Sequence, residues 1–462
     1  MPKVQEAPPE LRELFAEFAQ REDFPDKLLE LSKIQEAMPQ GKYLHWEELK
    51  YKQPPEGFDT KQWWLAVKMA RVSMYQVTPL YDRAGEKFKF AVPGPMLSML
   101  HQIDKQAAGS IKGSEVLHDP ETRDFFLSRA IGEEAIHSSL LEGAATTRKA
   151  AKELLRSGRA PRDKNERMVV NNHQAMLFIR EIREQELTPG IILNLHRILT
   201  KDTLENPDAA GCYRKADDPI RVVDKFTGRD LHVPPRASEL ERRIEDLCRF
   251  ANDIETEPFI HPVIRAILLH FWLGFVHPFE DGNGRTARAL FYWSMASQKY
   301  WLCEFLPISR ILRSSPSKYA KAFLYSENDG GDLSYFVIHQ LETILKAIED
   351  LHEYLKVKTH SIRKARQRLA YSPKLLSILK SRQLALVSYA LDNPTMTFTV
   401  KRHQLHHEVT HQTARTDLMK LSELGFLEKS NIGRRFIFDV PDDLESRLIG
   451  FENQAGRDND SG

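Results

Sequence analysis

HPFEDGNGRTAR, His277 to Arg288, sets a histidine, two acids, a Gly-Asn-Gly turn and two arginines side by side. Packing alone does not call for that mixture. The apolar run PVIRAILLHFWLGFV before it predicts a helix that ends near Phe275-Val276 and delivers His277 to a loop. A second helix is expected to begin near Gly284 and to carry RTARALFYWSMA. The first turn of a helix has free backbone N–H groups and the positive end of the dipole, so it attracts anions. Gly282 and Gly284 allow the backbone to approach a ligand, and Asn283 adds a side-chain donor. Arg285 and Arg288 stand three apart on one helix, which suits a polyphosphate. Asp281 is placed to hold a hard cation such as Mg²⁺ together with phosphate oxygens. His277 is the neighbouring side chain whose ordinary pKa suits a general base. Together these residues point to a nucleotide polyphosphate, a metal and a base, that is, to transfer of a phosphorus-containing group. The bland alternative is a capped loop with solvated charges. It would account for two arginines, but not for the whole set.

The rest of the chain bounds the setting. At 462 residues two or three domains are expected. The 66 Lys plus Arg nearly balance 65 Asp plus Glu, so no global field favours nucleic acid or membrane. Cys212, Cys248 and Cys303 form neither a disulfide framework nor a metal clip, which suits a reducing cytosol. The start, MPKVQEAPPELREL, lacks the apolar core of a signal peptide, and charge interrupts every long apolar run. A soluble, cytoplasmic protein without a membrane partner is expected.

Residues 1–113 mix amphipathic helix with aromatic loop, and no role is assigned to them. Trp46, Trp63 and Trp64 are expected as core anchors. A long helix opens with Asp119 as N-cap and Pro120 behind it, runs to about 143, and ends at Gly143. Ile220, Val222 and Val223, a Thr227-Gly228 turn, then Leu231 and Val233 give the one clear hairpin signal. A last long helix is expected to lead into a basic connector, KTHSIRKARQR. Beyond it, in 372–462, lie two short helices and a two-stranded element turning near Gly433. Ala414, Leu418 and Leu421 share one face, and Gly425 caps that helix. This arrangement resembles a winged helix-turn-helix.

The motif His277–Arg288 is similar to the signature of Fic domains, His-Pro-Phe-x-Asp/Glu-Gly-Asn-Gly-Arg-x-x-Arg, with no position violated. The likeness extends over about 190–345, including GCYR, the hairpin before VPP, and Leu306-Pro307-Ile308-Ser309. It implies a mainly α fold, a Fic helical core with a β-hairpin flap, within a domain spanning 114–360. It further implies transfer of AMP from ATP to a Ser, Thr or Tyr hydroxyl of a target protein, with self-modification among the outcomes. His277 would be the base, Phe279 an anchor and Asp281 the Mg²⁺ ligand. Gly282, Asn283 and Gly284 would cradle the phosphates, with Arg285 on the β-phosphate and Arg288 on the γ-phosphate. SSLLEG, Ser138 to Gly143, fits the family's inhibitory motif. In that reading Glu142 occupies Arg288, Ser138 steadies the helix, and AMP removal is a second activity.

Two further patterns compete. HEVTH, His407 to His411, matches the HExxH zinc pattern, which needs one unbroken helix. Val409-Thr410 falls where a turn is expected, so zinc is rejected there. The alternative function is a DNA-binding regulator using Gln412, Thr413, Arg415 and Thr416, with Arg434-Arg435 on phosphate. Lys401 to Arg435 holds seven basic residues against four acids, only mildly basic. Contacts between copies of the chain, a homo-oligomer, are the other use expected of such a domain.

Overall fold

The computed structural model describes residues 6–21, 24–34, 36–108, 120–216, 218, 220–223, 228, 230–252, 258–394, 396–432 and 435–453. It is mainly helical. The described residues divide into two compact units, one of 6–108 with 130–348 and the other of 120–129 with 349–453.

In the first unit the chain begins with α1 (Leu11–Ala19), α2 (Phe24–Lys33), α3 (Trp46–Leu49) and α4 (Thr60–Val72). A hairpin, β1 (Tyr75–Tyr81) and β2 (Lys87–Ala91), and α5 (Gly94–Ile103) follow. Trp46, Trp63 and Trp64 are buried with Leu14, Phe18 and Leu49, the anchoring role expected of them. The hairpin is not among the strands expected. Its first strand contains Pro79, and its register shifts between Val77 and Tyr81, so the alternation that marks a strand is blurred. These residues pack in the same unit as the core, although the sequence sets them apart at 113. Arg71, fully buried, donates to Ala37 O, Leu44 O and the Tyr335 hydroxyl at 2.8–3.0 Å. Lys68 pairs with Asp329 at 2.9 Å, and the Tyr43 and Tyr75 hydroxyls both donate to Asp332 at 2.7 Å. The N-terminal region thereby braces the corner at 329–335.

The core comprises α6 (Pro120–Leu141), α7 (Arg148–Ser157), α8 (Lys164–Glu181), α9 (Pro189–Thr200), α10 (Leu240–Asn252), α11 (Pro262–Val276) and α12 (Asn283–Ser297). After them come α13 (Ile308–Ser314), α14 (Pro316–Asn328) and α15 (Ser334–Tyr371). The hairpin flap is β3 (Val222–Val223) with β4 (Asp230–His232), paired antiparallel. Gly228 has φ +67, as a tight turn needs, while Thr227 and the expected N-cap Asp119 lie outside the described residues. α11 is apolar all round and buried from Val263 to Val276 apart from Gly274, so it forms the central post. α12 packs along it, with α8 and α9 against α12 and α10 against α11.

The basic connector KTHSIRKARQR is not a linker. α15 runs unbroken through it to Tyr371, because Lys, Arg, Gln and Ala are good helix formers and because Ala365 and Leu369 are buried in the core of the second unit. The second unit continues with α16 (Pro373–Ile378), α17 (Ser381–Asp392), β5 (Thr397–Thr399), α18 (Val400–His407) and α19 (His411–Glu423). It ends with β6 (Glu428–Ile432), β7 (Arg435–Asp439) and α20 (Leu444–Asn453). β7 lies between β5 and β6, all antiparallel. Its core gathers Leu375, Leu386, Leu418, Leu421, Phe426, Phe438 and Leu448. β5 is an addition to the two strands expected, and Gly433 and Arg434 lie outside the described residues. Glu408 caps α18 with φ +53, and Thr410 caps α19 by accepting from Thr413 N at 3.2 Å. His407 and His411 therefore belong to different helices, which removes the zinc pattern. Among the described residues no helix is long and apolar enough to cross a membrane.

Candidate active site

α11 ends at His277, whose backbone turns into the left-handed region at φ 47, ψ 59. That conformation is costly for a residue with a Cβ. It stops the helix and sends the chain sharply into the loop. The His277 Nδ1 lies 3.1 Å from Gly274 O, an acceptor, so Nδ1 carries the proton and Nε2 keeps its lone pair. Burial lowers the imidazole from the usual 6.5 to about 4, with the neighbouring charges of His232 and Arg214 acting in the same direction. The ring is neutral at physiological pH, as a base must be.

The loop is closed from inside. Phe279 is fully buried and stacks on His196 at 3.7 Å between centroids, the anchoring expected of it. His196 accepts from Gly211 N–H through Nδ1 and so donates through Nε2 to Asp281 O at 2.8 Å. Asn283 spans the loop: its Oδ1 accepts from Phe279 N at 3.0 Å and its Nδ2 donates to Phe279 O at 2.8 Å. The side-chain donor expected to reach a phosphate is thus engaged by the loop itself. Asn283 braces the loop that leads into the cradle.

Gly282 stands at the N-cap of α12 with φ +86, and a Cβ there would lie 2.8 Å from Thr200 Cγ2. At Gly284 a Cβ would stand 2.3 Å from Glu142 Oε1 and 3.1 Å from Arg288 Nη1. The space above the first turn of α12, where an anion is expected, is therefore occupied by the Glu142 carboxylate. Glu142 Oε1 meets Arg288 Nη2 at 2.8 Å. The Arg288 guanidinium is buried and also donates to Ser138 Oγ from Nε at 3.1 Å and from Nη2 at 2.9 Å. The structure thus brings Ser138, Glu142, Gly284 and Arg288 together.

Arg285 lies against α9 and Asp281. It is fully buried, donating to Leu199 O at 3.0 Å and to Asp281 Oδ2 at 3.3 Å. Three residues before Arg288 on α12, it faces α9 rather than the Glu142 carboxylate. Asp281 is half exposed, and its other oxygen accepts from Gly282 N at 2.5 Å. One accessible carboxylate beside an anion cradle fits Mg²⁺, which takes few protein ligands when phosphate and water complete its shell. Among the described residues no cluster of three or more His, Cys, Asp or Glu side chains could hold a metal unaided.

Sequence reasoning gave no role to several residues that build the site. Arg214 and His232 bind the carbonyls at the end of α11. Glu134, buried on α6, accepts from both the backbone and the hydroxyl of Ser309 at the start of α13. Burial raises its pKa. The signal for Ser309 was visible in Leu306-Pro307-Ile308-Ser309, but its partner 175 residues away was not.

A histidine on a left-handed turn, two glycines at a helix start and a buried arginine on the same helix thus share one corner of the first unit. Residues 186–295 match the model of the Fic/DOC family. Among curated proteins, the chain is similar to protein adenylyltransferase fic-1 of Caenorhabditis elegans, 31% identical over 209 residues, 43% of this chain and 37% of the relative. Protein adenylyltransferase Fic of Nematostella vectensis is 27% identical over 202 residues, 42% of this chain and 43% of that one. The chain thus spans less than half the length of these relatives. Among solved structures, a fragment of Fic-1 from Caenorhabditis elegans aligns with TM-score 0.45 and 20% identity, covering 76% of this chain and 90% of that one. A Fic family protein from Desulfovibrio desulfuricans aligns with TM-score 0.44 and 17% identity, covering 75% and 94%.

Proposed function

We propose that the chain is a self-inhibited protein adenylyltransferase that moves AMP from Mg-ATP to a Ser, Thr or Tyr hydroxyl of a target protein. The observation that carries this reading is His277, neutral and with Nε2 unprotonated, on the turn that leads into the glycine cradle of α12. The names of the relatives support AMP as the group transferred. In the step, the target hydroxyl oxygen attacks the α-phosphorus and its proton passes to His277 Nε2. A new O–P bond forms, and the bond to pyrophosphate breaks. The N–H groups of α12 and the Arg288 guanidinium stabilise negative charge on the phosphate chain. Asp281 would hold Mg²⁺, which supplies charge neutralisation at the phosphates. Arg285, engaged by Leu199 and Asp281, would steady that carboxylate unless ATP draws it away.

Glu142 supports the self-inhibited reading, because its carboxylate fills the cradle and pairs with the arginine intended for the γ-phosphate. The same carboxylate, close to the cradle, suits a water-directed removal of AMP as a second activity. The deciding experiment supplies ATP labelled separately at the α- and γ-phosphates to the full chain carrying Glu142→Gly. Protein-bound α-label, on the chain itself or on added protein, is the expected result. Protein-bound γ-label in its place would show kinase-like transfer.

The second unit favours an accessory reading. Helix α17, strand β5, helices α18 and α19, and the β6–β7 ribbon follow the order of a winged helix-turn-helix. Gln412, Arg415 and Thr416 are exposed on α19. DNA, or another copy of the chain, is the partner proposed for that face, and a regulator in which the Fic domain is secondary is the alternative function. Absence of either label on protein, with retention of DNA in a gel-shift measurement, would favour it.

A further inference from the structure

We propose that Arg214 is a positioning residue for the transfer step, holding the strained turn that aims His277; this rests on the reading of His277 as the base. Arg214 Nε donates to His277 O at 2.8 Å, and its own backbone N–H donates to Pro278 O at 2.9 Å. Its Nη2 donates to Pro235 O at 2.5 Å and to Val276 O at 3.4 Å. His232 Nε2 meets Phe275 O at 2.7 Å. Four successive carbonyls, 275 to 278, are thus held by two residues distant in sequence.

The chemistry of Arg214 is unusual for its location. It is 8% exposed, and each of its side-chain hydrogen bonds ends on a backbone carbonyl. Among the described residues no carboxylate is in hydrogen-bonding contact with it; a buried cation so placed is expensive, and an apolar side chain of equal volume would fill the space at lower cost. What the guanidinium adds is a planar fork, able to fix several carbonyl directions at once. Those carbonyls need it. The last C=O groups of a helix have no intrahelical partner and carry the negative end of the dipole.

The consequence falls on His277. A left-handed residue other than glycine persists only where its surroundings over-determine it. Fixing the carbonyls on either side of the His277 peptide fixes the direction of its Cα–Cβ bond. The contact of Nδ1 with Gly274 O then sets the ring, leaving Nε2 as the proton acceptor. Pro235 follows β4 by a few residues, so the same guanidinium ties the base to the chain that supports the flap. A displacement of about 1 Å in a reacting group costs on the order of 10²-fold in rate.

The test uses the full chain carrying Glu142→Gly, compared with the same chain further carrying Arg214→Lys, Arg214→Met or His277→Ala. Initial rates of α-label incorporation give kcat and KM for ATP, and thermal unfolding reports the folded fraction. Arg214→Lys keeps the charge and loses the fork. Its kcat is expected to fall on the order of 10²-fold, with KM for ATP within about threefold, since the phosphates are held elsewhere. Arg214→Met is expected to fall at least as far. If Arg214→Met does not fold, Arg214→Lys decides alone. A kcat for Arg214→Lys within about threefold of its parent, or a loss no larger than the loss of folded protein, overturns the proposal. An active His277→Ala would instead remove the base reading itself. An inactive His277→Ala beside a fully active Arg214→Lys would remove only the role of Arg214.

Discussion

The chain makes the same backbone move twice, at the end of α11 and at the end of α18. In each a residue other than glycine, His277 with φ 47 and Glu408 with φ 53, turns left-handed and a second helix follows. The surroundings differ. After Glu408 the turn looks after itself: Glu408 and Val409 N–H both return to Gln404 O, and Thr410 caps the next helix. At His277 the N–H likewise returns to Leu273 O, but further partners come from far along the chain, from Arg214, His232 and His196. One turn is a local joint on the surface. The other is a buried turn assembled by the tertiary fold, which is what holding a base in a strained geometry requires.

That contrast can be broken most severely at the buried turn. His277→Ala is expected to lower AMP transfer by about 10²–10⁴-fold while ATP affinity, measured by calorimetry, stays within severalfold. Near-normal transfer in the Glu142→Gly background would show that the turn does not carry the base. Glu142→Gly itself is expected to raise α-label incorporation by about tenfold or more, a change that needs only about 1.4 kcal/mol of transition-state stabilisation. Arg288→Ala should depress the rate even then. Equal rates for the parent and Glu142→Gly would sever the link between the 2.8 Å ion pair and inhibition.

A pH profile sharpens the comparison without mutation. Burial holds the His277 imidazole near about 4, so it stays neutral as pH falls from 7.5 to 5.5. An ordinary histidine at 6.5 would be protonated over that span and would lose about tenfold in base activity by pH 5.5. A nearly flat kcat/KM across the range is expected; a tenfold fall would show that His277 titrates like an exposed residue.

The surface turn should respond more mildly. Thr410→Ala removes the cap of α19 and is expected to cost about 1 kcal/mol in denaturant unfolding of the second unit. Glu408→Gly relieves the left-handed strain and is expected to stabilise by about 1 kcal/mol or less. Destabilisation by Glu408→Gly would mean that its side chain does more than occupy the turn.

The same contrast explains what the sequence made legible. The end of α18, the Thr410 cap and the burial of Ala414, Leu418 and Leu421 depend on neighbours a few residues apart, so they could be read directly. The Fic-like motif was legible because twelve adjacent residues carry it, and the approach of Ser138 and Glu142 to Arg288 because the Fic resemblance supplied a distant partner. Arg214 was visible only as a member of GCYR; that its guanidinium ends on carbonyls 62 and 63 residues away depends on packing. Asn283 and Arg285 were assigned to phosphate from their residue types. Which way each faces is decided by Phe279, Leu199 and Asp281. The helical connector through 358–368 and the β1–β2 hairpin show the opposite failure, where charge or a proline obscured an ordinary element.

Glu142, resting over Gly284, makes the chain its own counter-ion. A tethered carboxylate competes with dissolved anions at an effective concentration of roughly millimolar or above. Inorganic phosphate should therefore find the intact protein a poor host and Glu142→Gly a better one. On the proposed reading, the substitution that relieves the restraint would also open the cradle to inhibition by phosphate in the medium. The carboxylate that restrains the protein would, on that reading, also shield its anion cradle from dissolved phosphate.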